Sequence, residues 1–165
     1  MRIETERLLL EPLTPADLDE LVALHAHPQV SEFVGRLDPV SARARLVDNE
    51  RQWAQRGHGR LAIRERTTGR FLGRTGLLYW PQFEETEVGW TLVPDVWGHG
   101  YATEAAEACV AWAFENLTVP YLTAMVQPSN ERSLRVVDRL GFEPLRDDVL
   151  VDLHVIVHWL PRLAY

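Results

Sequence analysis

The sequence is most informative at Val93-Pro94-Asp95-Val96-Trp97-Gly98-His99-Gly100-Tyr101-Ala102-Thr103-Glu104-Ala105, where a strand ends, a short turn follows and a helix begins. Two glycines, Gly98 and Gly100, bracket one residue directly before the helix. Glycines let backbone N–H groups approach an anion closely, and a helix start offers unpaired N–H donors with a partial positive charge. The stretch therefore predicts a pyrophosphate-binding turn from Gly98 to Thr103 that works through the backbone.

The same stretch can also be compared with other kinds of turn, and the neighbouring residues argue against some of them. An isolated Gly-x-Gly is also compatible with an ordinary tight turn between a strand and a helix. A dinucleotide-binding turn would need a third glycine where Thr103 stands, and an early parallel strand–helix–strand unit. A Walker-type loop is excluded, because it needs a lysine and all 17 basic residues are arginine.

Strands and helices alternate on both sides of this turn, without a repeat or a linker that would separate two domains. The predicted strands are residues 7–12, 60–64, 71–78, 85–93 and 120–126, followed by two closing strands around Asp147-Asp148. The first predicted helix begins after Thr14, and three further helices are predicted at residues 40–55, 101–116 and 130–140. A loop is predicted at residues 28–39. Antiparallel pairs combined with a strand–helix–strand crossover predict one α/β domain over residues 1–165, a mixed, mostly antiparallel sheet with helices on both faces.

Composition excludes several classes of protein. A net charge of −7 argues against a nucleic-acid partner, because duplex binding needs several cations to replace the condensed counterions. No apolar run approaches the roughly 18 residues of a membrane span, and no leader peptide precedes the first strand, so the sequence predicts a cytoplasmic protein. The single cysteine, Cys109, rules out an internal disulfide and is expected to be a buried small side chain.

No metal site is expected. Asp152, His154 and His158 alternate along the predicted last strand and would share one of its faces. Neighbours two apart on a strand are about 7 Å from each other, which is too far for them to share one ion without outside ligands.

Three blocks together resemble the GNAT acetyltransferase superfamily, and most closely its branch similar to the ribosomal-protein N-terminal acetyltransferases. The first block is Glu87-Val88-Gly89-Trp90-Thr91-Leu92 with Pro94 and residues 97–105, the second is residues 126–128 with Asn130, Ser133 and residues 139–142, and the third is residues 4–10 with 15–17. The resemblance extends over nearly the whole chain. It implies a GNAT-like sheet that is splayed at the cofactor site.

The resemblance also implies that acetyl-CoA is bound as the acyl donor. The family's pyrophosphate motif is Gln/Arg-x-x-Gly-x-Gly/Ala, and Trp97 stands where Gln or Arg is usual. Because the backbone binds the pyrophosphate, this departure is expected to matter little. The implied cofactor-binding residues are Gly98, His99, Gly100, Tyr101, Ala102 and Thr103 in the turn, Trp90, Thr91 and Leu92 along the strand, and Asn130 and Ser133 in the next helix.

Acetyl transfer to an amine requires a neutral nucleophile. An α-amino group has a pKa near 7.7–8.0, whereas a lysine-like amine near 10.4 depends strongly on a general base. Strand alternation places Glu85, Glu87, Gly89 and Thr91 on one face, and burial there would raise the pKa of Glu87 towards the working pH. Glu87 is the predicted base and Glu85 the reserve, although an ion-paired strand carboxylate is the alternative interpretation.

Two further groups complete the predicted chemistry. Ser133 is the predicted acid for the departing thiolate, although a thiol pKa of about 8.5 makes this help optional. A backbone N–H at Thr91 or Leu92 could stabilise the oxyanion. Asn130 would either hold the pantetheine arm or simply cap its helix.

The sequence thus predicts an N-acetyltransferase that transfers an acetyl group from acetyl-CoA to a primary amine by direct attack. The acceptor would be an amine-bearing small molecule or a peptide or protein N-terminus, selected by residues 28–39 and 143–152, and a homodimer is compatible with this assignment. One alternative is a binding module that retains acyl-CoA without turnover. Another is an acyltransferase for longer acyl chains.

Overall fold

A computed structural model describes residues 1–165, and eight strands in it form one sheet. The strands are β1 (Ile3–Glu4), β2 (Leu8–Pro12), β3 (Arg60–Glu65), β4 (Phe71–Trp80), β5 (Glu85–Leu92), β6 (Tyr121–Val126), β7 (Glu143–Leu150) and β8 (Leu153–Pro161). The helices are α1 (Leu18–Ala26), α2 (Pro28–Val34), α3 (Pro39–Arg56), α4 (Tyr101–Asn116) and α5 (Glu131–Arg139). No helix combines the length and the apolar character needed to cross a membrane.

The sheet has the strand order β1-β2-β3-β4-β5-β6-β8-β7, and all neighbours are antiparallel except β5 and β6. That parallel pair is connected through α4, since parallel strands need a crossover. β5 and β6 are paired only at Glu87 and Thr123, so the strands diverge beyond this point. The predicted mixed, mostly antiparallel sheet with a splay is confirmed.

Apolar clusters on both faces of the sheet hold the helices in place. The larger cluster joins α4 to the central strands through fully buried side chains such as Ile63, Val88, Val110 and Leu122. Each such side chain contributes about 1.5–3 kcal/mol by its burial. Small residues on α4, among them Cys109, allow the helix to lie close to the sheet, and burial raises the pKa of the Cys109 thiol to about 12.

The opposite face carries α1, α2 and α3. Their buried side chains, including Leu24, Val30 and Leu46, form a second cluster with Ala62 and Phe71 of the sheet. The prediction of helices on both faces is therefore also confirmed. The two layers leave a cavity between the C-terminal end of β5 and the start of α4.

Two sequence predictions of local structure are wrong. The predicted loop at residues 28–39 contains α2, because Pro28 is compatible with the first turn of a helix, which then ends at Gly35 with φ 74°. The predicted turn at Asp147-Asp148 lies inside β7, and the chain reverses at Val151 and Asp152, whose φ angles are 48° and 63°. Asp147 instead binds His154 across the hairpin at 2.7 Å, and Asp152 is not a strand residue.

Candidate active site

The glycine turn before α4 has the left-handed backbone that its sequence predicts. Gly98 and Gly100 have φ angles of 81° and 80°, and α4 begins at the next residue, Tyr101. Side chains other than glycine adopt this backbone region only at a cost. The turn therefore directs successive N–H groups to one side at the helix start, an arrangement that can bind an anion.

The backbone N–H groups from Gly98 to Thr103 have no acceptor within the protein. The first N–H of α4 with a partner is that of Glu104, which donates to the Gly100 carbonyl at 3.0 Å. The hydroxyl oxygen of Thr103 is also buried without a hydrogen-bond partner. The first N–H groups of a helix have no acceptor within it, and together with the Thr103 hydroxyl they form a set of free donors that fits a ligand rich in acceptor oxygens, such as a pyrophosphate.

A cavity of about 260 Å³ opens beside these donors, at the end of β5 beyond its single pair with β6. It is lined by the end of β5, the glycine turn, the first turn of α4, one face of α5 as far as Arg139, and α2. The predicted cofactor residues that line it are Trp90, Thr91, Leu92, Trp97, Gly98, Gly100, Tyr101, Ala102, Thr103, Asn130 and Ser133. His99 is exposed and does not line it, and its carbonyl accepts a hydrogen bond from Arg7 at 2.8 Å.

The end of β5 presents backbone groups to this cavity. The Val93 N–H donates to Leu72 of β4, and the Gly89 carbonyl accepts from the Thr75 hydroxyl of β4. Because backbone polar groups alternate in direction along a strand, those of Trp90 and Leu92 point away from β4, towards the splay. A chain with amide groups can pair with this edge as an added strand would.

Trp97 explains how the turn accommodates its departure from the family motif. Its indole N–H donates to the Leu92 carbonyl at 2.9 Å, and the Arg132 guanidinium lies 4.3 Å from the centre of its ring. The side chain thus connects the end of β5 to the turn and to α5. The backbone N–H groups that follow remain free.

Asn130 and Ser133 lie at the start of α5, on the far side of the cavity. The Asn130 side chain caps the helix by accepting a hydrogen bond from the Ser133 N–H at 3.3 Å. The Ser133 hydroxyl oxygen accepts from the Trp90 indole N–H at 3.3 Å. Because Ser133 accepts this bond, its own hydroxyl proton is available for donation.

The two candidate carboxylates on β5 have different partners. Glu85 is buried and forms a bidentate ion pair with Arg146, at 2.7 and 2.8 Å, and accepts a hydrogen bond from Tyr121 at 3.3 Å. These contacts occupy its oxygens, so Glu85 is an ion-paired structural carboxylate. The sequence alone could not distinguish it from Glu87.

Glu87 has no ion pair. One of its oxygens accepts the Trp80 indole N–H at 2.7 Å, and the side chain is partly buried. Desolvation raises the pKa of the Glu87 carboxyl, and the positive charges of Arg60 and Arg74 with the Trp80 hydrogen bond offset only part of this rise. A raised pKa makes the Glu87 carboxylate a stronger base than an exposed glutamate.

Sequence reasoning missed residues that support or line the cavity. Glu104 accepts hydrogen bonds from Thr5 and from the backbone and side chain of Arg7, and Arg7 also covers the ring of Tyr101 at 4.2 Å. The N-terminal segment thereby holds the glycine turn. Three arginines of α5, Arg132, Arg135 and Arg139, also line the cavity, and their spacing of three and four residues on one helix face was a visible signal.

Comparison with known proteins extends these observations. The acetyltransferase (GNAT) domain family matches residues 7–143. The uncharacterized N-acetyltransferase YoaA of Bacillus subtilis is 26% identical over 145 residues, which cover 86% of this chain and 82% of YoaA.

Solved structures agree with this match. The crystal structure of an acetyltransferase from Agrobacterium tumefaciens is 36% identical, with a TM-score of 0.84 over 97% of this chain and 94% of that chain. RimL, a ribosomal L7/L12 α-N-protein acetyltransferase in complex with coenzyme A, shares the fold at 14% identity, with a TM-score of 0.83 over 100% of both chains. The family match covers residues 7–143, which is well over half of this chain. This protein therefore belongs to the GNAT acetyltransferase family.

Proposed function

We propose that this protein is an acetyl-CoA-dependent N-acetyltransferase that acts on a primary amine by direct attack. The observation that carries the proposal is the run of free N–H groups from Gly98 to Thr103, which faces a cavity at the splay of the sheet. Membership of the GNAT family supports the reaction class.

The residues of the cavity fit each part of the acyl donor. The N–H groups of the glycine turn and the Thr103 hydroxyl would bind the pyrophosphate, and the α5 arginines add positive charge beside it. The backbone of Trp90 and Leu92 would pair with the amides of the pantetheine arm. When bound, the donor supplies an acetyl thioester, which an amine can attack without a metal or a redox group.

Glu87 is the proposed general base. Its raised pKa and its freedom from any ion pair suit a group that takes a proton from an ammonium or a neutral amine as the new bond forms. Glu85 would serve this role poorly, because protonating it would break the bidentate pair with Arg146.

Ser133 is the proposed acid for the departing thiolate. Its oxygen is held by the Trp90 indole, which leaves its O–H free to donate to the sulfur, and the solvent returns the proton to the hydroxyl. For the oxyanion, the Leu92 N–H is better oriented than that of Thr91, since the backbone of Thr91 faces β4. The carbonyl of Leu92 is already occupied by Trp97.

A single-turnover assay with acetyl-CoA and a panel of amines tests the proposal. The expected result is an acetylated amine together with free coenzyme A at a rate that depends on the amine. Tight coenzyme A binding by calorimetry, with no transfer to any amine, would instead favour a non-catalytic acyl-CoA-binding module. A parallel assay with butyryl-CoA checks the acyl chain, and a strong preference for butyryl would correct the proposed donor.

A further inference from the structure

A second cavity of about 350 Å³ lies between the sheet and the helices α1 and α3. Its lining is strongly basic and comes from four separate elements. Arg45 of α3, Arg60 of β3, Arg74 of β4 and His25 of α1 all contribute to it, together with Trp80. Trp80 is the side chain whose indole binds the proposed base, Glu87.

The basic groups of this cavity lack partners in the protein. Arg74 is only 8% exposed, yet its side chain makes no hydrogen bond and no ion pair. The side chains of Arg60 and Arg45, which also line the cavity, make none either. Buried arginines normally pair with a carboxylate or with carbonyl oxygens. Unpaired guanidinium groups around a cavity indicate that the counter-charge comes from a ligand.

His25 adds a further unsatisfied atom. The residue is fully buried, its Nδ1 binds the Gly35 carbonyl at 2.8 Å, and its Nε2 has no partner. The Nδ1 contact requires a donor, so the neutral ring carries its proton there and Nε2 is an acceptor. Burial, with the positive charges of the three arginines, lowers the pKa of His25 to about 4 and keeps the ring neutral at pH 7. A ligand with a donor group beside its negative charge would satisfy this site.

The nearby carboxylates do not neutralise the arginines. Asp48 also lines the cavity, but it is paired with Arg51 at 2.8 Å, and Glu87 is bound to Trp80 and forms no ion pair. Three guanidinium groups therefore face one another across a shared space, and burial together with their mutual repulsion lowers the pKa of Arg74. Such an arrangement is unfavourable until an anion enters it.

The strand register places these arginines next to the proposed base. Arg74 is opposite Thr91 of β5, and Arg60 is opposite Gly76, which is in turn opposite Gly89. Gly89 has no side chain that would separate the arginines from Glu87. Glu87 lies two residues from Gly89 on the same face of β5, at a distance of about 7 Å. One small molecule can therefore reach Glu87 with an amine and the arginines with a charged group.

From this juxtaposition we propose that the acceptor is a small molecule that carries an oxyanion, a carboxylate or a phosphonate-like group, beside its primary amine. Arg60 and Arg74 bind the oxyanion, with Arg45 at the mouth of the cavity, and this orients the amine towards Glu87. The inference rests on the proposed N-acetyltransferase function and gives it a substrate class.

Matched amines test the substrate class. Amino carboxylates and aminoalkyl phosphonates are compared with neutral amides and alkylamines of the same length at a fixed acetyl-CoA concentration. We expect kcat/KM to be at least 10-fold higher for the anionic amines than for the neutral ones. Amine basicity alone would give the opposite order, because the amino group of the neutral amide loses its proton more easily than that of the matching carboxylate. The ratio of carboxylate to phosphonate rates identifies which oxyanion the cavity takes. Equal or better rates with neutral amines, polyamines or peptide N-termini would overturn the inference while leaving the proposed function intact.

Arginine variants supply the matched control. Arg74→Met and Arg60→Met remove the charge at similar size, and each is expected to lower kcat/KM for the anionic amine by roughly 10- to 100-fold more than for the neutral amine of the same length. The comparison is made between the two amines at one pH, because losing either positive charge also raises the pKa of Glu87 and changes both rates. Arg43→Met on α3 is the control, because Arg43 is exposed, forms no contact with either cavity and should keep the wild-type preference. Loss of rate on both classes of amine in Arg74→Met, without recovery in Arg74→Lys, would indicate a structural role and contradict the proposal.

A binding readout separates this inference from the enzymatic one. Acetate and inorganic phosphate should raise the melting temperature of the wild-type protein and of Arg43→Met by more than that of Arg74→Met, which keeps only the glycine turn as an anion site. Without any anion, Arg74→Met should melt above the wild type, because it removes an unpaired buried charge. If no amine is acetylated but these anion effects are present, the proposed function fails and the oxyanion site stands. If neither anion changes the wild-type melting temperature, the site itself is refuted.

Discussion

The cavity at the glycine turn and the arginine-lined cavity offer positive charge to a ligand in different ways. The first uses backbone N–H groups that carry partial charges and remain partly exposed in the turn. The second uses full charges on side chains, of which Arg74 is buried, Arg60 is partly buried and Arg45 is exposed. Leaving a backbone N–H at a helix start unpaired costs little, whereas a buried unpaired guanidinium costs much more.

This difference predicts opposite sensitivities to mutation. The glycine turn should tolerate changes of side chain, as Trp97 in place of Gln or Arg illustrates, but not changes that alter its backbone. In the arginine-lined cavity, ligand binding should survive a side-chain substitution only if the substitution keeps the positive charge.

Gly100→Glu should have the largest effect on coenzyme A binding. A carboxylate at this position would lie within the anion-binding turn, and like charges about 4 Å apart at a protein surface repel by about 4 kcal/mol, which corresponds to roughly 1000-fold weaker coenzyme A binding. Calorimetric titration with coenzyme A measures this. Gly69→Glu is the control, because Gly69 has φ 74° in the β3–β4 turn, far from either cavity, and carries the same backbone strain. Unchanged affinity in Gly100→Glu would refute the pyrophosphate site.

Glu87→Gln should lower kcat by roughly 100- to 10,000-fold, the usual range for a lost general base. In the wild type, kcat should fall as the pH is lowered through the raised pKa of Glu87, since the protonated carboxyl cannot accept a proton. This limb should be absent in Glu87→Gln and retained in Glu85→Gln. A pH profile of the Glu87 variant that still shows the wild-type limb would place the base elsewhere.

The sequence allowed the glycine turn to be predicted because its features are local. Gly98 and Gly100 lie beside one another, next to a strand end and a helix start, and each constraint acts within a few residues. The alternation of β5 was equally local, so the common face of Glu85 and Glu87 followed from it. The splay at β5 was an implication of the family resemblance, and the single pair at Glu87 and Thr123 agrees with it.

The remaining features depend on contacts between distant parts of the chain. Glu85 differs from Glu87 because Arg146, 61 residues away, pairs with it, and no spacing rule predicts that contact. Arg60 and Arg74 become neighbours through the register of β3 and β4, which contains a bulge after Ile63. An all-arginine basic composition also concealed them, since no single arginine stands out in the sequence.

The two glutamate variants should differ in stability in the opposite order to activity. Glu85→Gln should be the less stable variant, although Glu87→Gln should be the less active one. Glu85→Gln removes the charge that binds Arg146, so the free energy of unfolding should fall by about 1–3 kcal/mol at pH 7. Glu87→Gln should instead raise it at pH 7. The raised pKa means that folded Glu87 keeps its proton above the unfolded value of 4.5, so its burial costs stability as the pH rises through that window.

Urea denaturation at pH 7 and again below pH 4.5 measures both effects. The gain from Glu87→Gln should disappear at the lower pH, because the carboxyl is then protonated in the folded and the unfolded chain alike. A Glu87 variant that is less stable than the wild type at pH 7 would mean that its ionised form is stabilised by partners. Such a group would be a poor general base.

Ser133→Ala should have the smallest effect, a decrease of kcat by roughly 3- to 10-fold, because a thiol with a pKa of about 8.5 leaves without much help. The helix should remain intact, since Asn130 caps it through the backbone N–H of Ser133 and not through the hydroxyl. Steady-state kinetics at saturating amine separate the two possible roles of this side chain. A lower kcat with unchanged KM for acetyl-CoA supports proton donation to the thiolate. A raised KM with unchanged kcat would show that Ser133 and the Trp90 indole position the pantetheine arm, and the thiolate would then leave unassisted.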